Sequence, residues 1–171
     1  EADDLSKRKE QDKARADESA AAAVKASEIW KAATPTGINA YLTRKGFTAE
    51  VLGCRMSRGS VVVPMWSGGK ITGLQFIDDD GGKLFLKSSA KEGAYHAIRG
   101  EGDLLVIGEG LATMGAIHAS IGCSVIVAFD AGNLKPVAQV MRKKYPDKRI
   151  VIAADGDQWT LPASKRPVDW D

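Results

Sequence analysis

Three short apolar runs in the second half of the chain each end in a turn that carries an acidic side chain. Leu104–Ile107 leads into the motif GEG, Cys123–Phe129 into DAGN, and Ile150–Ala154 into DGD. The segments between them, Leu111–Ser120 and Leu134–Tyr145, have helical composition. Continuous apolar strands that alternate with helices are typical of a parallel sheet covered on both faces. We therefore expect an α/β fold with three buried parallel strands.

The acidic turns are expected to meet at one edge of this sheet, where the carboxyl ends of parallel strands form a ligand-binding crevice. Glu109, Asp130, Asp155 and Asp157 would converge there. Carboxylates held close together repel one another unless a cation compensates their charge or one of them takes up a proton. Hard oxygen ligands suit Mg²⁺ or Mn²⁺. The pattern indicates a divalent metal site that faces nucleotide or nucleic-acid phosphates.

Each acidic motif has a simpler explanation when it is taken alone. Asp130 precedes a predicted helix, so the residue is more readily an N-cap than a ligand. GEG and DGD are each weak signals, but their separation by one complete strand–helix unit makes the pair more specific. Glycines beside the acids would let the backbone turn tightly and let a phosphate approach; they are Gly108, Gly110, Gly132 and Gly156.

An antiparallel meander is predicted earlier in the chain. Its strands are Ser60–Met65, Ile71–Ile77 and Lys83–Lys87, joined by the turns SGGK and DDDGG. The DDDGG run lacks the ligand spacing of a calcium loop and is expected to be a hairpin turn. Lys83 and Lys87 would point to the same face of their strand. They are either the lysines of a protected edge strand or a basic surface for phosphates.

The N-terminal region is expected to be helical and largely solvated. Residues 1–33 are rich in Ala, Lys, Glu and Asp, with only a thin apolar stripe. Thr34–Gly37 should end this helix, and a short helix should follow and end at Gly46.

Composition sets broad limits on the class of protein. The chain has 171 residues, 44% hydrophobic and 27% charged, with a formal net charge of +2. These values predict one globular domain, or one domain with a small companion, and no global basic field. Cys54 and Cys123 belong to no zinc motif and are expected to be buried free thiols. Without a signal peptide or a membrane-spanning apolar run, a cytoplasmic protein without membrane association is expected, in a bacterial or phage-infected cell.

With these motifs, the sequence resembles a TOPRIM domain, the fold shared by bacterial-type primases, topoisomerases and some nucleases. The residues that carry the resemblance are LLVIGEG with Glu109 and IVIAADGD with Asp155 and Asp157. The chain is most similar to the primase modules of phages and plasmids, from about Ala26 onward. That similarity rests on EIWKAATPT, YLTRKGF, VVVPMWSGGKITGLQFIDDDGGKLFL and AFDAGNLKPVAQVMRKKYPDKRIVIAADGD.

The resemblance implies a Rossmann-like TOPRIM sheet flanked by helices, preceded by a small mixed α/β subdomain that contains the meander. Residues 1–45 would be a helical N-terminal segment, residues 46–102 the primase-type subdomain, and residues 103–171 the TOPRIM domain with a shortened C-terminus.

The resemblance also implies the roles of particular residues. Glu109, Asp155 and Asp157 would be the catalytic metal ligands. Around them, further residues would hold substrate, metal or template: Asp130, Asn133, Gly110, Gly132, Lys83 and Lys87. Two departures from the primase pattern stand out. Thr113 occupies a position where many primases have a further acid, and Asp169 and Asp171 would have to serve as the later acidic motif.

The activity implied is that of a primase catalytic core, a nucleotidyltransferase that makes short primers from nucleoside triphosphates on single-stranded DNA. Mg²⁺ or Mn²⁺ would be the cofactor, and a replicative helicase or helicase domain a partner. A TOPRIM nuclease is the nearest alternative activity. A non-catalytic nucleic-acid-binding or nucleotide-binding module of a replication protein is the alternative from another class.

Overall fold

Four helices and eight strands make up residues 2–154, the part of the chain that the computed structural model describes. The helices are α1 Ala2–Ala32, α2 Ala40–Arg44, α3 Leu111–Ile121 and α4 Ala131–Lys144. The strands are β1 Arg55–Ser57, β2 Ser60–Ser67, β3 Lys70–Ile77, β4 Lys83–Phe85, β5 His96–Ile98, β6 Glu101–Gly108, β7 Cys123–Val127 and β8 Arg149–Ala153.

The first sheet is the predicted meander, with one strand more than expected. Its order is β1-β2-β3-β4 and every neighbouring pair is antiparallel. The DDDGG run is a hairpin turn, as predicted, because the Asp78 carboxylate accepts hydrogen bonds from the amides of Asp80 and Gly82. Strand β4 ends at Phe85 rather than at Lys87. The chain turns away there, and Ser88 adopts a left-handed backbone conformation with φ of 61°.

The second sheet has the order β5-β7-β6-β8. Strand β6 runs parallel to both β7 and β8, as the alternating strand–helix pattern predicted. Strand β5 was not predicted; it pairs antiparallel with β7, so the sheet is mixed. The expectation of a third buried strand was wrong for β8, where Val151 and Ile152 are 43% and 50% exposed. Among the described strands, β8 lies at the sheet edge and has a strand neighbour on one side only.

Period-two alternation along the strands divides the apolar residues between two faces of each sheet. In β6, Val106 faces the core between the two sheets, whereas Leu105 and Ile107 face α4. In β2, Val61 and Val63 face the same inter-sheet core, and Val62 faces α1. The layers therefore run from α1 through the first sheet, a shared core that includes α2 and α3, and the second sheet to α4.

The shared core joins the two halves that the sequence separated at residue 102. Leu42 and Leu52 pack in one cluster with Leu111 and Met114 of α3. Cys54 and Cys123 are buried free thiols of that same cluster, as expected. The boundary at residue 102 remains a prediction, because contacts between the halves are continuous.

Helix α1 is longer and more regular than its composition suggested, but its first half is solvated as expected. Side chains 6–18 are exposed, the first buried side chain among those described is that of Ala22, and Ala26 packs against the first sheet. Helix α2 begins at a buried N-cap, Asn39, whose side chain accepts from the amide of Leu42. In the described residues, no helix combines the length and the apolar character needed to cross a membrane.

Candidate active site

Glu109 lies where the central strand of the second sheet ends. Strand β6 has β7 on one side and β8 on the other, and Gly108 pairs with both Val127 and Ala153. The carbonyl of Gly108 accepts from the amide of Ala128 at 2.7 Å, and that of Glu109 accepts from the amide of Phe129 at 3.1 Å. The GEG and DAGN turns are thus held together by main-chain hydrogen bonds. The half-buried Glu109 side chain sits in the middle of this edge.

The glycines of the two turns differ in how tightly the protein surrounds them. A Cβ on Gly108 would come within 2.3 Å of Met114 Cε and 2.9 Å of the Ala153 carbonyl oxygen, so packing requires glycine there. A Cβ on Gly110 would meet nothing closer than Thr113 Oγ1 at 3.6 Å, which is an ordinary contact. On Gly132 it would lie 3.3 Å from Asp130 Oδ1. Packing within the described chain therefore does not require glycine at position 110.

Two helix N-termini of the described part of the chain reach this edge, and within that part only one is closed by a side chain. Helix α4 is capped by Asp130, whose carboxylate accepts from the amide of Asn133 at 3.0 Å. Helix α3 has Gly110 as its N-cap and no side-chain cap. Amide groups in the first turn of a helix lack intrahelical partners and attract anions. The first turn of α3, directly behind Glu109, therefore offers main-chain donors to a phosphate.

Asp130 has a second partner besides the helix it caps, because its carboxylate forms an ion pair with Lys91. The N-cap interpretation of the sequence is confirmed. The DAGN turn also contains Asn133, which is only 3% exposed. The Asn133 side chain accepts from the amide of Gly93 at 2.7 Å and donates to two carbonyls at 2.9 Å, those of Ala94 and Ala128. These contacts fix the start of α4 against the loop before β5.

An aromatic contact joins the first sheet to the DAGN turn. The ring of Phe85, at the end of β4, meets Phe129 edge to face, with 6.1 Å between centroids and 77° between planes. Phe129 is buried and has φ of 75°, a strained conformation for an aromatic residue. The Lys91 ammonium group lies 5.2 Å from the centre of the Phe85 ring. The exposed Lys87 and the half-buried Lys91 line one small cavity of about 260 Å³ next to Phe85.

Sequence reasoning missed these aromatic and basic neighbours of Asp130. Lys91 lies in a segment with no motif, no role was predicted for Phe85 within its strand, and a left-handed phenylalanine has no local sequence signature. Lys83 is exposed on β4, while Lys87 lies in the turn beyond the strand. The interpretation of both lysines as a phosphate-facing surface stays a prediction.

The structure describes only part of the predicted metal site. Asp155, Asp157, Asp169 and Asp171 lie outside the described residues. Within residues 2–154, no three His, Cys, Asp or Glu side chains come together as a metal site. Of the oxygen donors predicted for Mg²⁺ or Mn²⁺, the described part supplies Glu109 and, engaged elsewhere, Asp130.

A buried histidine begins strand β5, in register with Val127 of β7. His96 Nε2 is 2.7 Å from the Leu52 carbonyl, so Nε2 carries the proton and donates it. Its Nδ1 atom has no hydrogen-bond partner among the described residues. Burial lowers the pKa of His96 and raises the pKa of the adjacent Cys54 thiol. Both groups are therefore neutral at physiological pH and have no visible part in the chemistry of the edge.

Comparison with known proteins identifies the fold that surrounds Glu109. The family model of the Toprim domain matches residues 103–159. Two curated relatives, each named DNA primase TraC from Escherichia coli, are 39% and 38% identical to the chain over 125 residues. Residues 103–159 belong to the Toprim family, and most of the chain is similar to part of the TraC primases.

The similarity extends well beyond the Toprim domain within this chain, but it covers a small part of each relative. The alignments include 69% of the chain, and only 12% and 9% of the two TraC primases. The Toprim match itself runs past strand β8 to residue 159. It therefore includes both Asp155 and Asp157, as well as Glu109.

Proposed function

We propose that this chain is the catalytic core of a DNA primase, a nucleotidyltransferase that makes short primers from nucleoside triphosphates on a single-stranded DNA template. The observation that carries the proposal is the parallel register of β6 and β8 inside a Toprim domain. Gly108 is paired with Ala153, so the chain leaves both strands at the same level of the sheet. Glu109 follows the first strand directly, and Asp155 and Asp157 follow the second within four residues.

In the proposed reaction, the 3′-hydroxyl of one nucleotide attacks the α-phosphorus of the next. A new phosphodiester bond forms, the bond to pyrophosphate breaks, and the hydroxyl proton passes to a base. Glu109 is the candidate base, or else a third metal ligand beside Asp155 and Asp157. Bound Mg²⁺ or Mn²⁺ supplies charge neutralisation for the triphosphate and for the departing pyrophosphate. Three carboxylates of this kind fit such an ion because hard cations prefer oxygen donors.

The surroundings of Glu109 would hold the phosphates. The uncapped first turn of α3 offers amide donors, and the absence of a side chain at Gly110 and Gly132 would let a phosphate approach the backbone. Lys83 and Lys87 would add positive charge from the first sheet. The amide group of Asn133 donates to two carbonyls and accepts from Gly93, so we assign it the task of holding the DAGN turn in place.

The remaining predicted contacts are less direct. The Asp130 carboxylate is already used by an N-cap and an ion pair, so its contact with a metal would run through water. Asp169 and Asp171 would complete the acidic set from the C-terminal end. Within a replication complex, a helicase or helicase domain would deliver the single-stranded template.

Primer synthesis on single-stranded DNA tests the proposal directly. Labelled nucleoside triphosphates are incubated with the chain and template in Mg²⁺, in Mn²⁺ and in EDTA. We expect product only with metal, and none from the double variant Asp155→Asn/Asp157→Asn. The variant Asp12→Asn/Asp17→Asn makes the same charge change on exposed α1 side chains and should retain full synthesis.

Other results would select the alternative functions. Metal-dependent shortening of a labelled strand, with no extension, would identify a Toprim nuclease in which water replaces the 3′-hydroxyl. DNA binding that is equal in EDTA and in Mg²⁺, with no synthesis and no cleavage, would identify a non-catalytic binding module. Thr113 is exposed in the first turn of α3, at a position where many primases have an acid. This departure from the primase pattern is a reason to test for a non-catalytic module.

A further inference from the structure

A deep groove lies between the two sheets, on the side of the second sheet that α4 covers. Its volume is about 670 Å³. Its floor is apolar and includes Leu105, Ile126 and Met141. Strand β2 of the first sheet forms one wall, and the end of α4 with the following loop forms the other. On β6 the groove is lined by Leu105, which is four residues or ~13 Å of strand from Glu109.

Four aromatic side chains line this groove, and all are partly exposed. They come from segments far apart in sequence: Trp30, Trp66, Tyr95 and Tyr145. A pair of main-chain hydrogen bonds holds two of them side by side. The amide of Trp66 donates to the Tyr95 carbonyl at 2.8 Å, and the amide of Tyr95 donates to the Trp66 carbonyl at 3.0 Å. The rings are thus presented by a fixed junction between the two sheets.

Cationic side chains alternate with these rings. Lys144 lies 5.7 Å from the Tyr95 ring centre and 5.4 Å from that of Tyr145, and Lys148 lies 5.8 Å from the latter. A hydrogen bond from Lys144 to the Tyr95 hydroxyl raises the pKa of Lys144, so that the ammonium group remains charged. Arg99 adds a third cation. Among the described residues that line the groove, none is acidic.

We propose that this groove binds single-stranded nucleic acid, with bases stacked on Trp66 and Tyr145 and phosphates paired with Lys144, Lys148 and Arg99. Aromatic rings interleaved with cations are how proteins hold single strands without reading sequence. An acid-free lining favours a polyanion over a cationic or neutral ligand. Only the identification of the bound strand as the primase template rests on the proposed function. The binding itself requires no catalysis.

Binding of a fluorescein-labelled oligothymidylate, followed by anisotropy in EDTA, tests the groove separately from the metal site. The variant Lys144→Gln/Lys148→Gln should bind more weakly, and its plot of log affinity against log salt should lose a slope of about 1.4, or ~0.7 for each phosphate contact. Its matched control is Lys25→Gln/Lys143→Gln, which removes two exposed lysines outside the groove lining and should bind like the wild type.

Stacking is tested by Tyr145→Leu, which keeps an apolar side chain but removes the ring. Binding should weaken roughly 5- to 150-fold, the equivalent of one lost base–aromatic stack. Trp66→Phe keeps a smaller ring and should remove most of the tryptophan fluorescence quenching that DNA causes. Thermal unfolding of each variant confirms that the fold is intact.

Three results would overturn the inference: no binding of the oligothymidylate by the wild type, equal losses in the groove variant and its control, or full displacement of the strand by a mononucleotide at equal phosphate concentration. The two proposals fail separately. Strand binding without primer synthesis would contradict the primase activity, but the proposal for the groove would stand. Primer synthesis together with unchanged strand binding in the groove variants would contradict the proposal for the groove, but the proposed primase activity would stand.

Discussion

The carboxyl edge of the second sheet and the aromatic groove are both candidate binding surfaces beside β6, but they are built in different ways. At the edge, each functional residue follows a strand directly, so the register of the sheet sets its position. In the groove, side chains from α1, β2, β5 and the end of α4 meet only after the two sheets have packed. The first kind of site leaves a motif in the sequence, and the second leaves almost none.

The largest effect should come from Glu109→Gln, which removes the charge at the centre of the edge and preserves its shape. Primer synthesis should fall by roughly 10²–10⁴-fold, the range for a positioned acid–base group. Single-strand binding in EDTA should not change, because the groove contains none of the atoms altered. Reduced strand binding in this variant would mean that Glu109 and the groove belong to one binding surface rather than to two.

Local pattern was sufficient for most of the fold. The meander, the strand–helix alternation and the Asp130 cap were all predicted, because each depends on residues close in sequence. Strand β5 could not be predicted, since His96–Ile98 is short and its pairing with β7 depends on a non-local contact. The exposure of β8 was missed for a similar reason. Strand order decides which apolar strand becomes an edge, and an apolar run such as IVIAA carries no information about strand order.

The residues of the candidate site also fall into those predicted from local pattern and those that depend on contacts between distant segments. The position of Glu109 and its neighbouring glycines directly after a strand was predicted from local pattern. The ion pair between Lys91 and Asp130 and the contact between Phe85 and Phe129 were not found, because they join segments more than 35 residues apart. The full pairing of the Asn133 amide was missed too, because two of its partners, Gly93 and Ala94, lie in the loop before β5.

Two glycine substitutions, one at each surface, should differ in their effect on the stability of the protein. Gly100 lies at the groove, and a Cβ there would come within 2.2 Å of the Gly122 carbonyl oxygen and 2.4 Å of the Cys123 carbonyl carbon. Because backbone must move, Gly100→Ala should cost about 1–3 kcal/mol in the free energy of unfolding. Urea denaturation measures this loss directly.

The matched change at the edge is Gly110→Ser, which should not destabilise the protein. Gly110 has an extended backbone and occupies the N-cap of α3, where serine is preferred by a few tenths of a kcal/mol. Synthesis should nevertheless fall, since the new side chain would occupy space that we assign to phosphate. A variant that is both more stable and fully active would show that this space is not used.

A smaller effect concerns His96, which reaches the lining of the groove from the core. Burial lowers the pKa of His96 in the folded protein, so the unfolded chain takes up the proton more readily. Its contribution to stability is therefore complete above the unfolded pKa of about 6.5 and is lost as the pH falls below it. The slope should reach at most ~1.4 kcal/mol per pH unit.

The slope is measured as the free energy of unfolding between pH 7.5 and 5.5, a window of roughly one unit on each side of that value. His96→Gln should flatten the curve, even though this variant starts from a lower stability. His118→Gln alters the other histidine, which is only partly buried, and should keep the wild-type slope. Equal slopes in the wild type and His96→Gln would mean that the buried ring takes up no proton on unfolding in this range.

The smallest effect distinguishes a structural carboxylate from a chemical one at the edge itself. Asp130→Ala removes the cap of α4 and should cost about 1 kcal/mol in the free energy of unfolding. Asp130→Asn keeps a capping oxygen and loses only the surface ion pair with Lys91, which contributes roughly 0–1 kcal/mol. If Asp130 acts only as a cap, the asparagine variant should retain nearly full primer synthesis with unchanged metal dependence. If the variant instead folds normally and requires much more Mg²⁺, the charge of Asp130 belongs with Glu109 in the metal site, and the edge has four acidic contributors.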